Sequence, residues 1–164
     1  MEMLVACHER VQRSLDLMVR LQQHLLVTGC DEQARSAARD VLRYFDMAAP
    51  LHHQDEELHV FPALLSGPDA ALCRLAAELI EDHRRMEAAW GAARAALTTV
   101  AQDTSGTLQL SAEQTAALDH FGGLYAQHIV REEGLAYPGA LAQLSAADLQ
   151  HMSHDMMARR GVRS

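Results

Sequence analysis

Aromatic residues, cysteines and long apolar runs are all scarce in this chain of 164 residues. Phe, Tyr and Trp together make up 4% of it. The cysteines Cys7, Cys30 and Cys73 are odd in number and lack CxxC spacing, which argues against a disulfide framework and a thiolate zinc site. No apolar run approaches the length of a membrane-spanning helix, and the charged start MEMLVACHERVQRSL has no signal-peptide core. We therefore expect a cytoplasmic protein without a membrane segment.

Positive charge is also in the minority. The chain has 14 Lys and Arg against 22 Asp and Glu, a net charge of −8 with neutral histidines. This balance disfavours binding to nucleic acid phosphates or to an anionic membrane surface. Helix-forming residues such as Ala, Leu, Glu and Gln dominate the remainder, and the length suits one compact unit. We expect a single all-α domain over residues 1–164.

Apolar residues recur at three- and four-residue spacing, which predicts four long helices and one short helix. Gly29 is a candidate stop for the first helix, Pro50 is expected to kink the second, and Ser111 with Gln114 resembles a capping box that opens the fourth. Short connections favour an up-down-up-down four-helix bundle over about 3–140, followed by a short C-terminal helix. The predicted helices cover about 3–27, 31–65, 68–97, 111–135 and 145–160.

Two stretches of the sequence share one pattern. HHQDEELHVFP at 52–62 and HIVREEGLAYP at 128–138 both read His, three residues, Glu-Glu, three residues, aromatic, Pro. A histidine on the preceding helix, His8 or His83, comes 44 or 45 residues before each copy. The repeat indicates two helix pairs related by a pseudo-twofold axis. In the fourth helix it predicts an inward phase of Leu118, Phe121, Tyr125, His128, Glu132 and Leu135.

Histidines and glutamates four residues apart lie on one helix face and would converge inside such a bundle, as they do in carboxylate-bridged di-metal proteins. Carboxylates in an apolar interior are costly without cations, and imidazole with carboxylate suits iron, manganese or zinc. A non-haem di-iron centre fits this donor set best. The candidate metal ligands are His8, His52, Glu56, His83, Glu87, His128 and Glu132.

Several alternatives remain open at this level. His53 and Glu57 could replace His52 and Glu56 one register over, and His8 or His83 could be a core histidine bonded to a backbone carbonyl. Glu87 could be a ligand or an acid outside the metal coordination sphere. Tyr44 or Tyr125 could place a hydroxyl near a bound ligand, and the remaining histidines are expected at the surface.

The motifs HxxxEExxxFP and HxxxEExxxYP resemble those of the hemerythrin-like, HHE cation-binding family over about residues 3–140. The resemblance implies two iron ions, one bound by His8 and His52 and the other by His83 and His128. It further implies that Glu56 and Glu132 bridge them, with zinc or manganese able to bind in vitro. Oxygen-carrying hemerythrins have a histidine where this chain has Glu87, which argues against reversible oxygen carriage.

The family resemblance implies a protein that binds or reacts with dioxygen, peroxide or nitric oxide, in sensing, detoxification or iron handling. Its expected partner is thus a small diatomic or peroxide ligand. One alternative is a redox enzyme that disproportionates peroxide, and another is a metal-responsive signalling or interaction module. A metal-free structural bundle would leave His8, His83 and the inward glutamates unexplained.

Overall fold

A computed structural model describes residues 1–161, which form helices and no strand. Two of the long helices are interrupted by π-helical segments, Tyr44–Ala48 and Glu132–Ala136. The α-helices are α1 (Glu2–Val27), α2 (Glu32–Arg43), α3 (Ala49–His59), α4 (Phe61–Leu65), α5 (Ala70–Gln102), α6 (Ala112–Arg131), α7 (Tyr137–Leu141) and α8 (Ala146–Arg159).

Four long helical segments, here called rods, make up the bundle. Helix α1 packs against α2 and α6, and α5 packs against the same two helices on the other side. The second rod continues from α2 into α3 and α4, and the fourth continues from α6 into α7. This arrangement confirms the predicted all-α bundle with its short C-terminal helix. Within residues 1–161, none of these helices is both long enough and apolar enough to cross a membrane.

The helix ends follow the local signals of the sequence. Gly29 follows the end of α1 and has a φ of 92°, a left-handed conformation that favours glycine. Asp31 accepts a hydrogen bond from the amide of Ala34 at the start of α2. Ser111 and Gln114 form the predicted reciprocal capping box of α6. These caps fix where the rods begin, and therefore which of their faces turn inward.

Each π-helical segment adds one residue to a turn. The amide of Tyr137 donates to the carbonyl of Glu132, five residues earlier, instead of four as in an α-helix. The residues that face the core after such a segment therefore come one position later in the sequence than an uninterrupted α-helix would place them. The prediction that Leu135 faces inward is wrong, because Leu135 is 55% exposed and Ala136 takes the buried position. In the second rod a π-helical segment ends two residues before Pro50, and the helix continues through the proline as expected.

The core has two apolar clusters with a polar layer between them. One cluster includes Val11, Phe45 and Met86, and the other includes Leu4 and Phe61. Each rod contributes apolar residues to both clusters and polar residues to the layer between them. The buried polar residues of this layer are His8, His52, Glu56, His83, His128 and Glu132.

Helix α8 closes one end of the bundle. Met152 and Met156 pack into the cluster that contains Phe61. Arg159 and Arg160 reach the carboxylate of Asp55, which is fully buried, with N–O distances of 3.0 and 2.6 Å. A buried carboxylate requires such partners, so α8 supplies the charge that lets α3 carry Asp55 in the core.

Replacing both Arg159 and Arg160 with alanine should destabilise the metal-free protein by about 3–5 kcal/mol, because the Asp55 carboxylate then lies buried without a partner. Urea unfolding followed by circular dichroism measures the change. Adding Asp55→Leu to the double variant should restore part of the loss.

The matched control is Arg84→Ala, which breaks an exposed contact with Glu81 and should cost less than about 0.5 kcal/mol. A double variant no less stable than Arg84→Ala would show that Asp55 does not depend on α8.

Candidate metal centre

Six of the seven predicted ligands converge in the middle of the bundle. His8 comes from α1, His52 and Glu56 from α3, and His83 from α5. His128 lies near the end of α6, and Glu132 opens the π-helical segment that follows it. None of the six side chains is more than 4% exposed. Their donor atoms form two groups that share Glu132, one with His8, His52 and Glu56 and the other with His83 and His128.

His8 and His52 define the first group, here called position one. The Nε2 atom of His8 lies 3.1 Å from Oε2 of Glu132 and 3.9 Å from Oε1 of Glu56. Nε2 of His52 lies 3.6 Å from the same Glu56 oxygen. Two imidazole nitrogens and two carboxylate oxygens therefore surround one small volume.

His83 and His128 define the second group, position two. Their Nε2 atoms face each other at 3.1 Å. Oε1 of Glu132 lies 2.9 Å from Nε2 of His128, and Oε2 of Glu56 lies 3.5 Å from Nε2 of His83. Each glutamate thus presents one oxygen to position one and the other to position two, which is the arrangement of a bridging carboxylate.

The second glutamate of each Glu-Glu pair forms a hydrogen bond with the outward-facing nitrogen of a candidate ligand histidine. Glu57 accepts a hydrogen bond from Nδ1 of His83 at 2.9 Å, and Glu133 accepts one from Nδ1 of His8 at 2.8 Å. These bonds place the Nδ1 protons outward and turn both Nε2 atoms toward the centre. Outer carboxylates with this role are typical of histidines that bind metal. The open choice for His8 and His83 is thereby answered, since their partners are carboxylates and not backbone carbonyls.

The centre attracts positive charge. Burial acts to lower the pKa of His83, but Glu132, Glu56 and Glu57 outweigh it and raise that pKa to about 11. The pKa of His8 is also raised, because its contacts with Glu132 and Glu56 overcome the effect of burial. Burial and the nearby Glu132 carboxylate raise the pKa of Glu56. Protons here compensate carboxylate charge, and a metal ion would displace them.

The geometry fits metal ions better than protons alone. Within residues 1–161, both oxygens of Glu132 and one oxygen of Glu56 are buried, and the imidazole nitrogens close to them do not meet them in good hydrogen-bond geometry. The facing Nε2 atoms of His83 and His128, 3.1 Å apart, need either a shared proton or a metal ion between their lone pairs. Four imidazoles and two carboxylates are also a donor set that suits iron, manganese and zinc. These residues therefore fit a pair of metal ions.

The register question is answered in favour of His52 and Glu56. His52 is 2% exposed and Glu56 fully buried, whereas His53 is half-buried and the Glu57 side chain is 44% exposed. His53 stacks on His83 with ring centroids 3.9 Å apart, so it contributes packing against a candidate ligand instead of a donor atom. The prediction that His53 lies at the surface is therefore only half right.

Glu87 lies apart from the six converging side chains. Met86 takes the inward position on that turn of α5, and Glu87 is exposed at the border of a cavity. Tyr125 also lines this cavity, whereas the hydroxyl of Tyr44 donates to the backbone carbonyl of Cys7.

Sequence reasoning missed one residue at the centre. The buried hydroxyl of Tyr137 lies 3.1 Å from Nε2 of His8 and donates a hydrogen bond to Oε1 of Glu56. The repeat already placed Tyr137 opposite Phe61, but nothing in that pattern showed the aromatic ring reaching back to the ligands. The π-helical segment accounts for it, because its five-residue hydrogen bond brings Tyr137 over Glu132.

Glu57→Gln and Glu133→Gln should each weaken metal binding about 10–100-fold, because an amide is a weaker acceptor for the Nδ1 proton of the histidine that it holds. Competition between the protein and a chelator for Zn(II) measures the affinity. Glu9→Gln, at a side chain that is 70% exposed, is the control and should leave the affinity unchanged. Equal affinities in all three variants would contradict a supporting role for Glu57 and Glu133.

Comparison with known proteins agrees with this geometry. The model of the hemerythrin HHE cation binding domain matches residues 1–140, a span that contains all six converging side chains. An uncharacterized protein of Haemophilus influenzae is 33% identical over 167 residues, which cover 99% of this chain and 90% of that protein. With two groups of buried histidines and glutamates that share Glu132, the chain belongs to the hemerythrin HHE cation-binding family.

Proposed function

We propose that the protein binds two non-haem iron ions and that the pair reacts with dioxygen, peroxide or nitric oxide. One ion binds at position one and the other at position two, with Glu56 and Glu132 as bridges. The observation that carries the proposal is that each of these two buried carboxylates offers one oxygen to each pair of facing imidazoles.

The donor set supports iron over softer metals. The three cysteines lie outside the converging groups, so no thiolate is at hand to select a soft metal. Two imidazoles and two bridging oxygens give each ion four protein donors, fewer than the six of an octahedral site. An iron pair held in this way supplies redox change and free coordination positions for a small ligand. Zinc or manganese would occupy the same positions in vitro.

A cavity supports access by a small ligand. It has a volume of about 520 Å³ and reaches His83, so it leads to position two. Phe45, Trp90 and Phe121 form the apolar part of its wall, and a cavity of this size admits small neutral molecules. Charged groups such as Glu87 and Arg84 are part of its lining.

Reaction with the ligand fits this protein better than reversible oxygen carriage. Oxygen-carrying hemerythrins have a histidine where this chain has Glu87, so position two would have two imidazoles and no third. Sensing, detoxification and iron handling all use a pair of this kind.

Metal analysis after anaerobic reconstitution with Fe(II) should give two ions per chain. The double variant Glu56→Ala and Glu132→Ala should lose the pair and retain most of its helical circular dichroism, because removing two buried carboxylates also removes their desolvation cost. Wild-type protein that binds one ion or fewer would contradict the proposal. So would a double variant that binds both ions as tightly as the wild type.

Glu87→Ala should still bind two ions, since the Glu87 side chain lies outside the converging groups, whereas His83→Ala should lose an ion from position two. Both substitutions remove a side chain from α5, so the first is a matched control for the second. Loss of an ion from Glu87→Ala would make Glu87 a seventh ligand.

Reaction with ligands is tested on the reduced, iron-loaded protein. Dioxygen, peroxide and nitric oxide are added separately, and the visible spectrum is recorded against time. We expect a change with at least one of them in the wild type and none in the Glu56→Ala, Glu132→Ala variant. An oxygen-induced spectrum that reverses over many cycles of oxygen removal would instead indicate oxygen carriage.

A further inference from the structure

We propose that Tyr137 is a positioning residue whose hydroxyl holds Glu56 for the ion at position one, so that the two positions differ in affinity. The inference rests on the proposed pair of metal ions and adds a residue that acts on one of them. It follows from the contacts of one hydroxyl group, from a difference between two matched aromatic rings, and from a carboxylate near His128 that has no counterpart near His52.

The hydroxyl of Tyr137 contacts two residues of position one. It donates to Oε1 of Glu56, the oxygen that faces His8 and His52, and lies 3.1 Å from Nε2 of His8. A phenol has one proton, and a carboxylate is the stronger acceptor of the two. Tyr137 therefore fixes the orientation of the Glu56 oxygen that serves position one.

Phe61 provides the comparison within the same molecule. It holds the equivalent place in the other copy of the repeat, and both residues are buried. The ring of Tyr137 lies 5.5 Å from that of His8, and the ring of Phe61 lies 5.5 Å from that of His83. Position two thus has the aromatic ring without the hydroxyl.

The surroundings of the histidine Nδ1 atoms, which point away from the centre, also differ between the two positions. At position two, Nδ1 of His128 has a carboxylate of Asp82 at 3.6 Å. Nδ1 of His52 and Nδ1 of His128 are both buried without a hydrogen-bond partner among the described residues, but His52 has no carboxylate beside Nδ1 that corresponds to Asp82. The residue equivalent to Asp82, one before the histidine of the preceding helix, is Cys7. Position one therefore lacks an outer carboxylate on one of its histidines, and the Tyr137 hydroxyl restrains its bridging glutamate instead.

The test isolates the two positions. A chain with His83→Ala and His128→Ala retains only position one, and a chain with His8→Ala and His52→Ala retains only position two. Adding Tyr137→Phe should weaken Zn(II) binding about 10–100-fold in the first chain, the range typical of lost outer contacts, and should change it less than about 3-fold in the second. Equal effects in both chains, or no effect in the first, would overturn the proposal.

A second measurement uses the chain with all six ligands. A Zn(II) titration of wild-type protein should show two binding steps, and Tyr137→Phe should weaken only one of them. Tyr44→Phe is the matched control, because it removes another partly buried hydroxyl that contacts only the Cys7 carbonyl, and it should change neither step. If the wild type binds two ions and Tyr137→Phe matches it, Tyr137 has no such role. If the wild type does not bind two, the proposed metal pair itself fails.

The spectrum of the ferric protein separates a hydrogen bond from direct ligation. A phenol that donates to Glu56 keeps its proton and gives no phenolate-to-iron absorption band. The wild type and Tyr137→Phe should therefore both lack that band. A band in the wild type that disappears in Tyr137→Phe would overturn the positioning role, since a bound phenolate has no proton to donate.

Discussion

The burial of two carboxylates and four imidazoles in one layer of the core is the constraint on which this structure depends. Groups of this kind are stable in an apolar interior only when a cation or a proton compensates them. The apolar clusters above and below the layer exclude water, and they force the polar atoms toward one another. We therefore expect the bundle to gain stability when it binds metal, so that the fold and the candidate site depend on each other.

The two glutamates of each Glu-Glu pair, an inner one and an outer one, have different roles. Glu56 and Glu132 point inward between the two positions, whereas Glu57 and Glu133 hold histidines of neighbouring helices from the solvent side. Adjacent residues on a helix point about 100° apart. One glutamate of a pair can therefore face the centre while the next contacts a histidine from the solvent side. Each Glu-Glu pair therefore makes two links to the centre, one through its inner glutamate and one through the histidine that its outer glutamate holds.

Helical periodicity, caps and the repeated motif were enough to predict the bundle and the six converging side chains. Leu135 was placed wrongly and Tyr137 was missed, whereas Glu87, which the sequence left open as a ligand, lies outside the converging groups. Extrapolating an α-helical phase cannot reveal a π-helical turn, which moved Leu135 outward and Tyr137 over the centre. Four-residue spacing from His83 likewise fits Glu87, but the neighbouring Met86 competes better for the buried side. Spacing predicts which residues share a face, whereas packing decides where that face ends.

The partnership between Asp55 and α8 has a consequence for where the domain ends. The match to the family model stops at residue 140, whereas the similarity to the Haemophilus influenzae protein covers 99% of the chain. A chain cut at residue 140 would retain every residue of the two converging groups. It would nevertheless leave the Asp55 carboxylate, one residue from Glu56, without the two guanidinium groups that neutralise it. We therefore expect a chain cut at residue 140 to be less stable than one that extends to Arg160, although it holds all six converging side chains.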